Sequence, residues 1–401
     1  MRIGMLVDMY KPNISGITAY VSLNKRWLEA RGHKVFVFTF GNLDYEDDEL
    51  YIMRSPGLPL NVNDSGFQLS FRYNTVAERK LRTMDVVHVH HAYLSGPLAL
   101  RYCKPANIPV VFTNHTRFDL YFQHWMPIMP EAIGETFVRT FIPNLCHRCD
   151  LVIAPSPSVA VVMKDLGVKD PVKVIPNGID FAPYADPPRI ARAEVGLPED
   201  AVVAMYVGRL SPEKNLGLMV RSFFGVAAVC PQAHLVIIGG GSEEDDLLEL
   251  VGRSPYADRI HFFGKVLPER VPSHLLLADL FVTASTTEVH PFSLIEAMAS
   301  GLPALGMDAS GISDTITPEV DGLLSHPDVA SFTAAFTRLV LDRDLRIRLG
   351  AAARESVRRF DIEQTAPAVL VEYERLAASV EQRLTYWQRF KRWWTRPGVD
   401  E

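Results

Sequence analysis

The stretch that decides the fold is residues 283–306, TASTTEVHPFSLIEAMASGLPALG. It follows an apolar run, residues 280–282, that ends in a cluster of hydroxyl residues, and this pattern predicts a buried strand leading into a loop. Ser293 can then cap a helix, because Glu296 three positions later completes an S-x-x-E capping box. Residues 300–303, SGLP, predict the end of that helix and a turn into another strand.

The start of this helix is a candidate anion site. A helix that begins here leaves backbone N–H groups free near Phe292, Ser293 and Leu294, and such groups bind anions, phosphate above all. Two carboxylates, Glu288 and Glu296, flank the helix start eight residues apart. The fragment therefore predicts a phosphate-binding helix start with an acid on either side.

Two glutamates at this spacing, followed by A-M-A-S-G-L-P, resemble the E-x7-E signature of the retaining GT-B glycosyltransferases of family 4. The resemblance implies that Glu288 holds the donor sugar, that Glu296 binds the ribose, and that the backbone between them contacts the diphosphate. The chain departs from the family at residues 289–292, VHPF, where a glycine-aromatic-glycine run is usual. A capping role alone is the alternative for Glu296.

Composition indicates a soluble globular protein of two domains. The chain has 401 residues, too many for one ordinary core, with 48% hydrophobic and 22% charged residues. The net charge of −6 gives no indication of nucleic-acid binding. The sequence contains no apolar run of membrane-spanning length and begins with a strand instead of a signal peptide. Together with only four cysteines, these features predict a cytoplasmic protein without a disulfide framework.

Cys146 and Cys149 form a lone C-x-x-C pair. A metal site, a redox site and structural thiols are all compatible with such a pair, and the lack of a second pair favours structural thiols. We expect no metal site in this chain.

The amino-terminal half begins with a βαβ unit. Residues 2–7 predict a strand, residues 17–31 a helix and residues 33–40 a second strand, so that a parallel sheet begins here. The first loop lacks the G-x-G-x-x-G fingerprint, which counts against a nicotinamide-dependent oxidoreductase. Gly16 instead lets the backbone approach a bulky ligand, and by resemblance to the family it belongs to a loop over the donor phosphates.

Histidines end two further strands. Residues 85–91 place His88 and His90 on one face, where cleft-lining histidines are favoured over a metal site because no carboxylate or cysteine has a matching spacing. His115 follows the predicted strand 109–113, at the end of a parallel strand where α/β sheets bind ligands. It also resembles the family's H-T position, which implies contact with the donor sugar. A hydrogen-bonded strand-end histidine is the alternative.

Residues 117–130, RFDLYFQHWMPIMP, are unusually aromatic. They resemble a segment of the diacylglycerol glucosyltransferases that approaches the lipid acceptor, which implies that Phe118, Tyr121 and Trp125 face the acceptor. An ordinary packed helix is the alternative.

The junction between the two domains is predicted near residues 176–189. P-N-G-I-D at 176–180 resembles the family's interdomain junction, and the proline-rich residues 181–189 predict a linker. We therefore expect an acceptor-side domain in residues 1–180, a nucleotide-sugar domain in 190–360, and a crossover helix in 361–380.

The second domain carries two cations after its first predicted strand. Arg209 and Lys214 lie on either side of a tight turn in GRLSPEKN, an arrangement that can clamp a diphosphate. The family carries the same pattern, which implies that both side chains neutralise the leaving nucleoside diphosphate. The sequence around Val266 resembles a segment whose backbone meets the nucleobase.

The tail, residues 381–401, is basic and aromatic. At helical spacing its large apolar side chains share one broad side, and no acid interrupts residues 382–396. This pattern favours an interfacial membrane anchor over a helix that packs on protein. The residues expected at the membrane are Trp387, Phe390, Lys391, Arg392, Trp393 and Trp394.

Taken together, the sequence predicts an α/β protein of GT-B architecture. The resemblance implies two Rossmann-like βαβ domains facing each other across a cleft, with a carboxyl-terminal crossover helix and an amphipathic tail. It also implies a retaining, metal-independent hexosyltransferase that uses a nucleotide sugar, UDP-glucose by preference, as co-substrate and needs no cofactor.

The expected acceptor is diacylglycerol or a glycosyl-diacylglycerol at the inner face of the cell membrane, with an anionic membrane surface as partner. One alternative is an enzyme that uses GDP-mannose and acts on phosphatidylinositol or on a soluble acceptor. Another alternative is a non-catalytic membrane-binding protein.

Overall fold

The computed structural model describes residues 1–13, 15–60, 67–120 and 131–383. The chain forms two compact units, of which the first combines the described residues of 1–178 with Ile362–Arg383 and the second is Ile179–Asp361. Residues 181–189, which the sequence predicts to be a linker, belong to the second unit and contain a short helix, Ala182–Ala185. Within this stretch Tyr184 packs into the core of the second unit.

The first unit is built on a seven-stranded parallel sheet. Its strands are β1 Arg2–Leu6, β2 Lys34–Phe40, β3 Ile52–Ser55, β6 Val86–Val89, β7 Val110–Thr113, β8 Leu151–Ala154 and β9 Val172–Val174, in the spatial order β3-β2-β1-β6-β7-β8-β9. A separate antiparallel pair consists of β4 Leu58–Leu60 and β5 Phe67–Leu69.

Apart from the terminal helix, the helices of the first unit lie between its strands along the chain, as in βαβ units. The helices of this unit are Gly16–Glu29, Thr75–Leu81, Ser95–Cys103, Glu131–Arg148, Pro157–Asp165 and the terminal helix Ile362–Arg383, with a short 3₁₀ turn at Lys104–Ala106.

The second unit is built on a six-stranded parallel sheet. Its strands are β10 Val202–Val207, β11 Ala233–Ile238, β12 Ile260–Gly264, β13 Leu280–Val282, β14 Ala304–Met307 and β15 Gly322–Ser325, in the order β12-β11-β10-β13-β14-β15. Its longer helices are Leu216–Val229, Glu244–Gly252, Val271–Leu275, Phe292–Ala299, Val329–Leu341 and Arg343–Ser356. Short 3₁₀ turns lie at Arg192–Val195, Pro212–Lys214, Ala257–Arg259, Pro268–Arg270 and Val357–Phe360.

Alternation along β10 explains why its sequence is apolar throughout. Ala204 and Tyr206 belong to the core on one face of the sheet, whereas Val203 and Met205 belong to the core on the other. Side chains of a strand point alternately to the two faces, so a strand covered by helices on both sides has no polar positions.

Each sheet reverses its strand order at one place. In the first unit the chain moves outward from β1 through β2 and β3 and then returns to β6 on the other side of β1. In the second unit it moves from β10 through β11 and β12 and returns to β13. The loops that follow the strands at such a reversal diverge, and the crevice between them is where open α/β sheets bind ligands.

In the part of the chain that the structure describes, the helices are all too short or too polar to cross a membrane.

Candidate active site

Three of the predicted site residues lie at the reversal point of the second unit. Arg209 and Lys214 follow β10, and Glu288 follows the neighbouring strand β13. The Nζ atom of Lys214 donates to Oε1 of Glu288 at 2.6 Å, and both side chains are largely buried. Fold topology therefore brings together two residues that the sequence analysis had identified separately.

The Lys214–Glu288 pair sets the charge of the site. Burial opposes ionisation of Glu288, but the charge and hydrogen bond of Lys214 outweigh it, and the pKa of Glu288 falls below its ordinary value. The carboxylate is thus ionised at neutral pH and is ready to accept hydrogen bonds from a sugar. Lys214, which holds this carboxylate, is also the residue that the sequence analysis predicts to bind the diphosphate.

Arg209 has a backbone held by local contacts and a mostly exposed side chain. The Tyr206 hydroxyl donates to the Arg209 carbonyl oxygen at 3.0 Å. A Cβ atom on Gly239 would overlap the carbonyl oxygen of Gly208, and φ at Gly239 is +145°, so only glycine fits there. The Arg209 side chain is 68% exposed and its Nη2 lies 3.7 Å from Oε1 of Glu213. The Arg209 guanidinium therefore extends into solvent from a backbone that these contacts hold in place.

The helix start after Glu288 differs in one detail from the sequence prediction. The helix is Phe292–Ala299 and its N-cap is Pro291, without a side-chain cap. Ser293 is therefore inside the first turn, and the predicted capping box with Glu296 is wrong. The helix begins one residue before Ser293 because Pro291 already has the extended backbone that an N-cap requires, and the first intrahelical bond runs from Ile295 N to Pro291 O.

The amides of the first helical turn still have the predicted orientation. Phe292, Ser293 and Leu294 precede the first amide that bonds within the helix, so their N–H groups point out of the helix start. Phe292 and Ser293 are half-buried and Leu294 is buried. An anion at this helix start would meet backbone donors and the positive end of the helix dipole.

Glu296 interacts with a tyrosine that the sequence analysis did not select. Burial raises the pKa of Glu296 above its ordinary value, while the hydrogen-bonding hydroxyl of Tyr184 lowers it in part. Tyr184 is only 9% exposed and reaches Glu296 from the helix Ala182–Ala185. Its proximity depends on how the predicted linker packs, which no local sequence signal indicates.

The loop that departs from the family pattern packs inward. His290 is buried, contacts Phe360 with ring centroids 4.8 Å apart, and has a pKa lowered to about 3 by burial. Behind the loop, a Cβ atom on Gly311 would lie 2.5 Å from the carbonyl oxygen of Glu288, so that glycine allows the two loops to touch. The backbone of Glu288 is therefore supported by packing instead of by the usual glycines.

Val266 lies two residues after the end of β12 and is half-buried against the core. Gly264, at the strand end, has φ of +66°, which turns the chain away from the sheet. The segment thus leaves the sheet at the carboxyl end of β12, as a backbone contact with a nucleobase requires.

The first unit carries His115 at the end of β7, inside a group of rings. Its Nε2 lies 3.1 Å from Nδ1 of His90, and the Tyr20 ring lies 5.0 Å from the His115 ring. Burial lowers the pKa of His90 well below its ordinary value, so His90 is neutral. His115 is half-buried and is the most exposed of these rings.

His88 and His90 share a face, as the alternation predicted. Their ring centroids are 4.1 Å apart. His88 contacts the Tyr373 hydroxyl at 2.5 Å and the Thr113 hydroxyl at 2.6 Å, and burial lowers its pKa to about 3. Both nitrogens of His88 are thus used inside the protein, which makes it a structural residue.

Gly16 is the first residue of its helix, and the Ser15 hydroxyl caps the helix by accepting from the Thr18 amide at 3.1 Å. The helix start lies in the loop after β1, at the reversal point of the first sheet. Phe118 is buried, with its ring edge-on to Tyr93 at 5.3 Å. Phe118 is therefore an interior residue, and its role as a residue that faces the acceptor stays a prediction.

Several predicted residues lie outside the part of the chain that the structure describes, so their roles stay predictions. They are Tyr121, Trp125 and the tail residues Trp387, Phe390, Lys391, Arg392, Trp393 and Trp394.

The four cysteines have free thiols. Burial raises the pKa of Cys146 to about 12, and burial likewise raises that of Cys149. Thiols of this kind stay protonated and unreactive. Within residues 1–13, 15–60, 67–120 and 131–383, no group of three or more His, Cys, Asp or Glu side chains could hold a metal ion.

Two models of glycosyltransferase families match the chain. The family model described as Glycosyltransferase Family 4 matches residues 14–182, and the model described as Glycosyl transferases group 1 matches residues 189–356. Together the two models span most of the chain.

Two curated proteins and one solved structure show how far the similarity extends. The alpha-monoglucosyldiacylglycerol synthase of Streptococcus pneumoniae is 28% identical over 355 residues, which are 86% of this chain and 80% of that protein. The phosphatidyl-myo-inositol mannosyltransferase of Mycobacterium leprae is 25% identical over 389 residues, 94% of this chain and 98% of that protein. The structure of sucrose-phosphate synthase from Thermosynechococcus elongatus has a TM-score of 0.75 at 22% identity, covering 94% of this chain and 99% of that one. The chain therefore belongs to the glycosyltransferases of the GT-B fold.

Proposed function

We propose that this protein is a retaining glycosyltransferase that transfers glucose from UDP-glucose to diacylglycerol at a membrane surface. The observation that carries the donor half of the proposal is the second unit's reversal point. There two cations, an ionised glutamate and the start of a helix follow two neighbouring parallel strands. This set of groups matches a nucleoside diphosphate joined to a sugar.

The chemical contribution of the site is electrostatic. As the bond between sugar and diphosphate breaks, negative charge grows on the leaving phosphate, and Arg209, Lys214 and the amides at the helix start stabilise it. Removal of one such donor typically lowers kcat by about 10²–10³-fold in enzymes. The developing charge is met by side chains and amides, so the proposed reaction requires no metal.

The other proposed contacts hold the sugar, the ribose and the base of the donor. Glu288 accepts hydrogen bonds from the sugar hydroxyls, Glu296 binds the ribose, and backbone atoms near Val266 meet the base. The role proposed for His115, contact with the donor sugar, follows from the resemblance of its H-T sequence, and His115 is also the least buried ring of its group.

Diacylglycerol is proposed as acceptor from similarity and sequence. The synthase of Streptococcus pneumoniae, whose name states its product, has 28% identity with this chain. Residues 117–130 and the tail add aromatic and basic side chains suited to a lipid surface. We accordingly place the enzyme on the inner face of the cell membrane as a peripheral protein.

A donor panel tests the proposal. Purified protein is incubated with UDP- and GDP-sugars, with and without diacylglycerol in anionic vesicles, and release of nucleoside diphosphate is followed. We expect release from UDP-glucose that depends on diacylglycerol, and a product with the anomeric configuration of the donor. E288Q should abolish release, whereas E249Q, at an exposed acid of the same unit, should not. Nucleoside diphosphate release that does not depend on diacylglycerol would contradict the proposed acceptor. The absence of release with every donor would contradict the proposed transferase activity.

The same panel also includes GDP-mannose as a second donor and phosphatidylinositol as a second acceptor. The mannosyltransferase of Mycobacterium leprae matches over a larger share of both chains, although at lower identity. Release from GDP-mannose that depends on phosphatidylinositol would replace the glucose and diacylglycerol assignment and leave the proposed phosphate site intact.

The tail is proposed as the membrane contact. A variant ending at residue 383 should retain donor binding but sediment far less with anionic vesicles, because it lacks the three clustered tryptophans and their neighbouring cations. Unchanged sedimentation would assign the tail to protein packing.

A further inference from the structure

Glu213 is an acid beside a proposed phosphate site, which is an unfavourable place for a negative charge. It lies in the 3₁₀ turn Pro212–Lys214, between the two cations proposed to bind the diphosphate. Its side chain is only 11% exposed. A carboxylate so close to bound phosphates would repel them unless it acts on one of the neighbouring cations.

The two oxygens of the Glu213 carboxylate differ in their hydrogen bonds. Oε1 accepts from the Ser211 hydroxyl at 2.6 Å and lies 3.7 Å from Nη2 of Arg209. Oε2 is buried and has no hydrogen-bond partner in the described part of the chain. A buried carboxylate oxygen without a donor is uncommon and calls for an explanation.

Arg209 can supply the missing donor. Its backbone is fixed, but its side chain is mostly exposed and is too far from Glu213 for a hydrogen bond. A guanidinium carries five N–H donors in a planar fork, so one edge can bind a carboxylate while another edge faces a phosphate.

We propose that Glu213 is a positioning residue for Arg209: when the diphosphate of the donor binds, the guanidinium closes onto Oε2 and is held with its other edge toward the phosphates. This inference rests on the proposed function, because it presumes that Arg209 meets a diphosphate. Ser211 keeps the carboxylate in place by its hydrogen bond to Oε1.

Neutralisation of Glu213 can change the affinity for a diphosphate in either direction, and the direction distinguishes two roles for Glu213. If Glu213 only adds negative charge, its neutralisation strengthens diphosphate binding. If it orients Arg209, its neutralisation weakens binding, and only as long as Arg209 is present.

A double-mutant cycle separates the two cases. Binding of UDP and of GDP is measured by calorimetry for the wild type, E213Q, R209M and the double variant. We expect E213Q to weaken binding about tenfold in the wild-type background, a coupling typical of charged groups in contact, and to have no effect in the R209M background. S211A should give a smaller loss that also disappears with R209M.

The exposed pair of Glu249 and Arg253 provides the matched control. It is likewise an acid and an arginine four residues apart in the second unit, so E249Q should bind like the wild type. Thermal unfolding of each variant identifies any change of fold, and S211A serves in place of E213Q if that variant unfolds.

Additive losses, no loss, or tighter binding in E213Q would each overturn the positioning role while leaving the donor site intact. Failure of the wild type to bind either diphosphate would reject the proposed donor site, and this inference with it.

Discussion

Nζ of Lys214 and Oε1 of Glu288 lie 2.6 Å apart although 74 residues separate them in the chain. The contact exists because β10 and β13 are neighbours in the sheet, so that the loops after them meet. A donor diphosphate would compete with Glu288 for Lys214, and a donor sugar would compete with Lys214 for Glu288. Binding of the complete donor can therefore replace the internal ion pair by two ligand contacts.

Replacement of Lys214 by methionine should weaken the second unit. K214M leaves the largely buried Glu288 carboxylate without its cation, and hydrogen bonds to charged groups contribute about 1.5–3 kcal/mol. Because the folded-state pKa of Glu288 is lowered, the pair stabilises the protein above the ordinary carboxyl pKa, and the contribution is lost as the pH falls through the folded value. The difference in calorimetric unfolding between K214M and wild type should thus be present at pH 7 and shrink below about pH 4.

The double variant K214M/E288Q is the control for that experiment. It removes the cation and the charge it balances, so we expect part of the stability lost in K214M to return. A K214M penalty that stays constant from pH 7 to pH 3.5 would show that the ion pair does not contribute.

The general architecture could be predicted from the sequence because it depends on local patterns. The apolar run of β13, the loop and the helix after Glu288 were all expected, as were the strands before Arg209 and His115. Helix starts were less predictable. Ser293 has the residue type of a cap, but the chain already has the required backbone at Pro291.

Replacement of Glu296 by glutamine should stabilise the second unit and impair donor binding. Burial raises the pKa of Glu296, so the folded state disfavours the ionised form and stability falls as the pH rises from the ordinary carboxyl pKa through the raised one. E296Q removes this cost at pH 7, and each kcal/mol gained raises Tm by about 2–4 °C in a domain of this size. We expect the Tm gain to vanish at pH 3.5, where both forms are uncharged.

The same variant should bind UDP-glucose about tenfold or more weakly, because an amide replaces the proposed acceptor of two ribose hydroxyls. Differential scanning calorimetry and donor binding measured on one preparation check both effects. Equal Tm values at pH 7 would contradict the burial argument, and unchanged affinity would remove Glu296 from the ribose site.

Tyr184, Glu213 and Gly239 could not be found from the sequence, since each acts through a contact distant in the chain or through backbone packing. Tyr184 was assigned to a linker because proline is frequent around it. Glu213 stands inside a recognised motif, but only the structure shows that one of its oxygens lacks a donor. Local patterns therefore predict the elements of the site, whereas the supporting contacts depend on tertiary packing.

Replacement of Gly239 by alanine should displace Arg209. The added Cβ atom would overlap the carbonyl oxygen of Gly208, and a positive φ of +145° is strained for alanine. We expect a Tm several degrees lower and donor binding reduced at least tenfold, measured by calorimetry. Gly252 is the control position, because a Cβ atom there meets nothing within 4 Å. G252A should keep wild-type affinity, and equal affinities for G239A and G252A would show that this glycine does not position the clamp.

The acid sensitivity of the first unit should depend on His88. Burial lowers the pKa of His88 to about 3, so it is neutral in the folded protein and protonated in the unfolded chain between that value and its ordinary value of 6.5. Its contribution is present above pH 6.5 and is lost as the pH falls toward 3, at about 1.4 kcal/mol per pH unit for one proton. H88Q should therefore flatten the pH dependence of urea unfolding between pH 6.5 and 5, although it also lowers stability at pH 7 by removing the contacts with Thr113 and Tyr373. None of the five tryptophans falls within residues 179–361, so tryptophan fluorescence does not report the second unit and follows the first. H147Q, at a histidine that is 79% exposed, is the control. A slope that is the same in H88Q and H147Q would show that His88 is not the group that titrates.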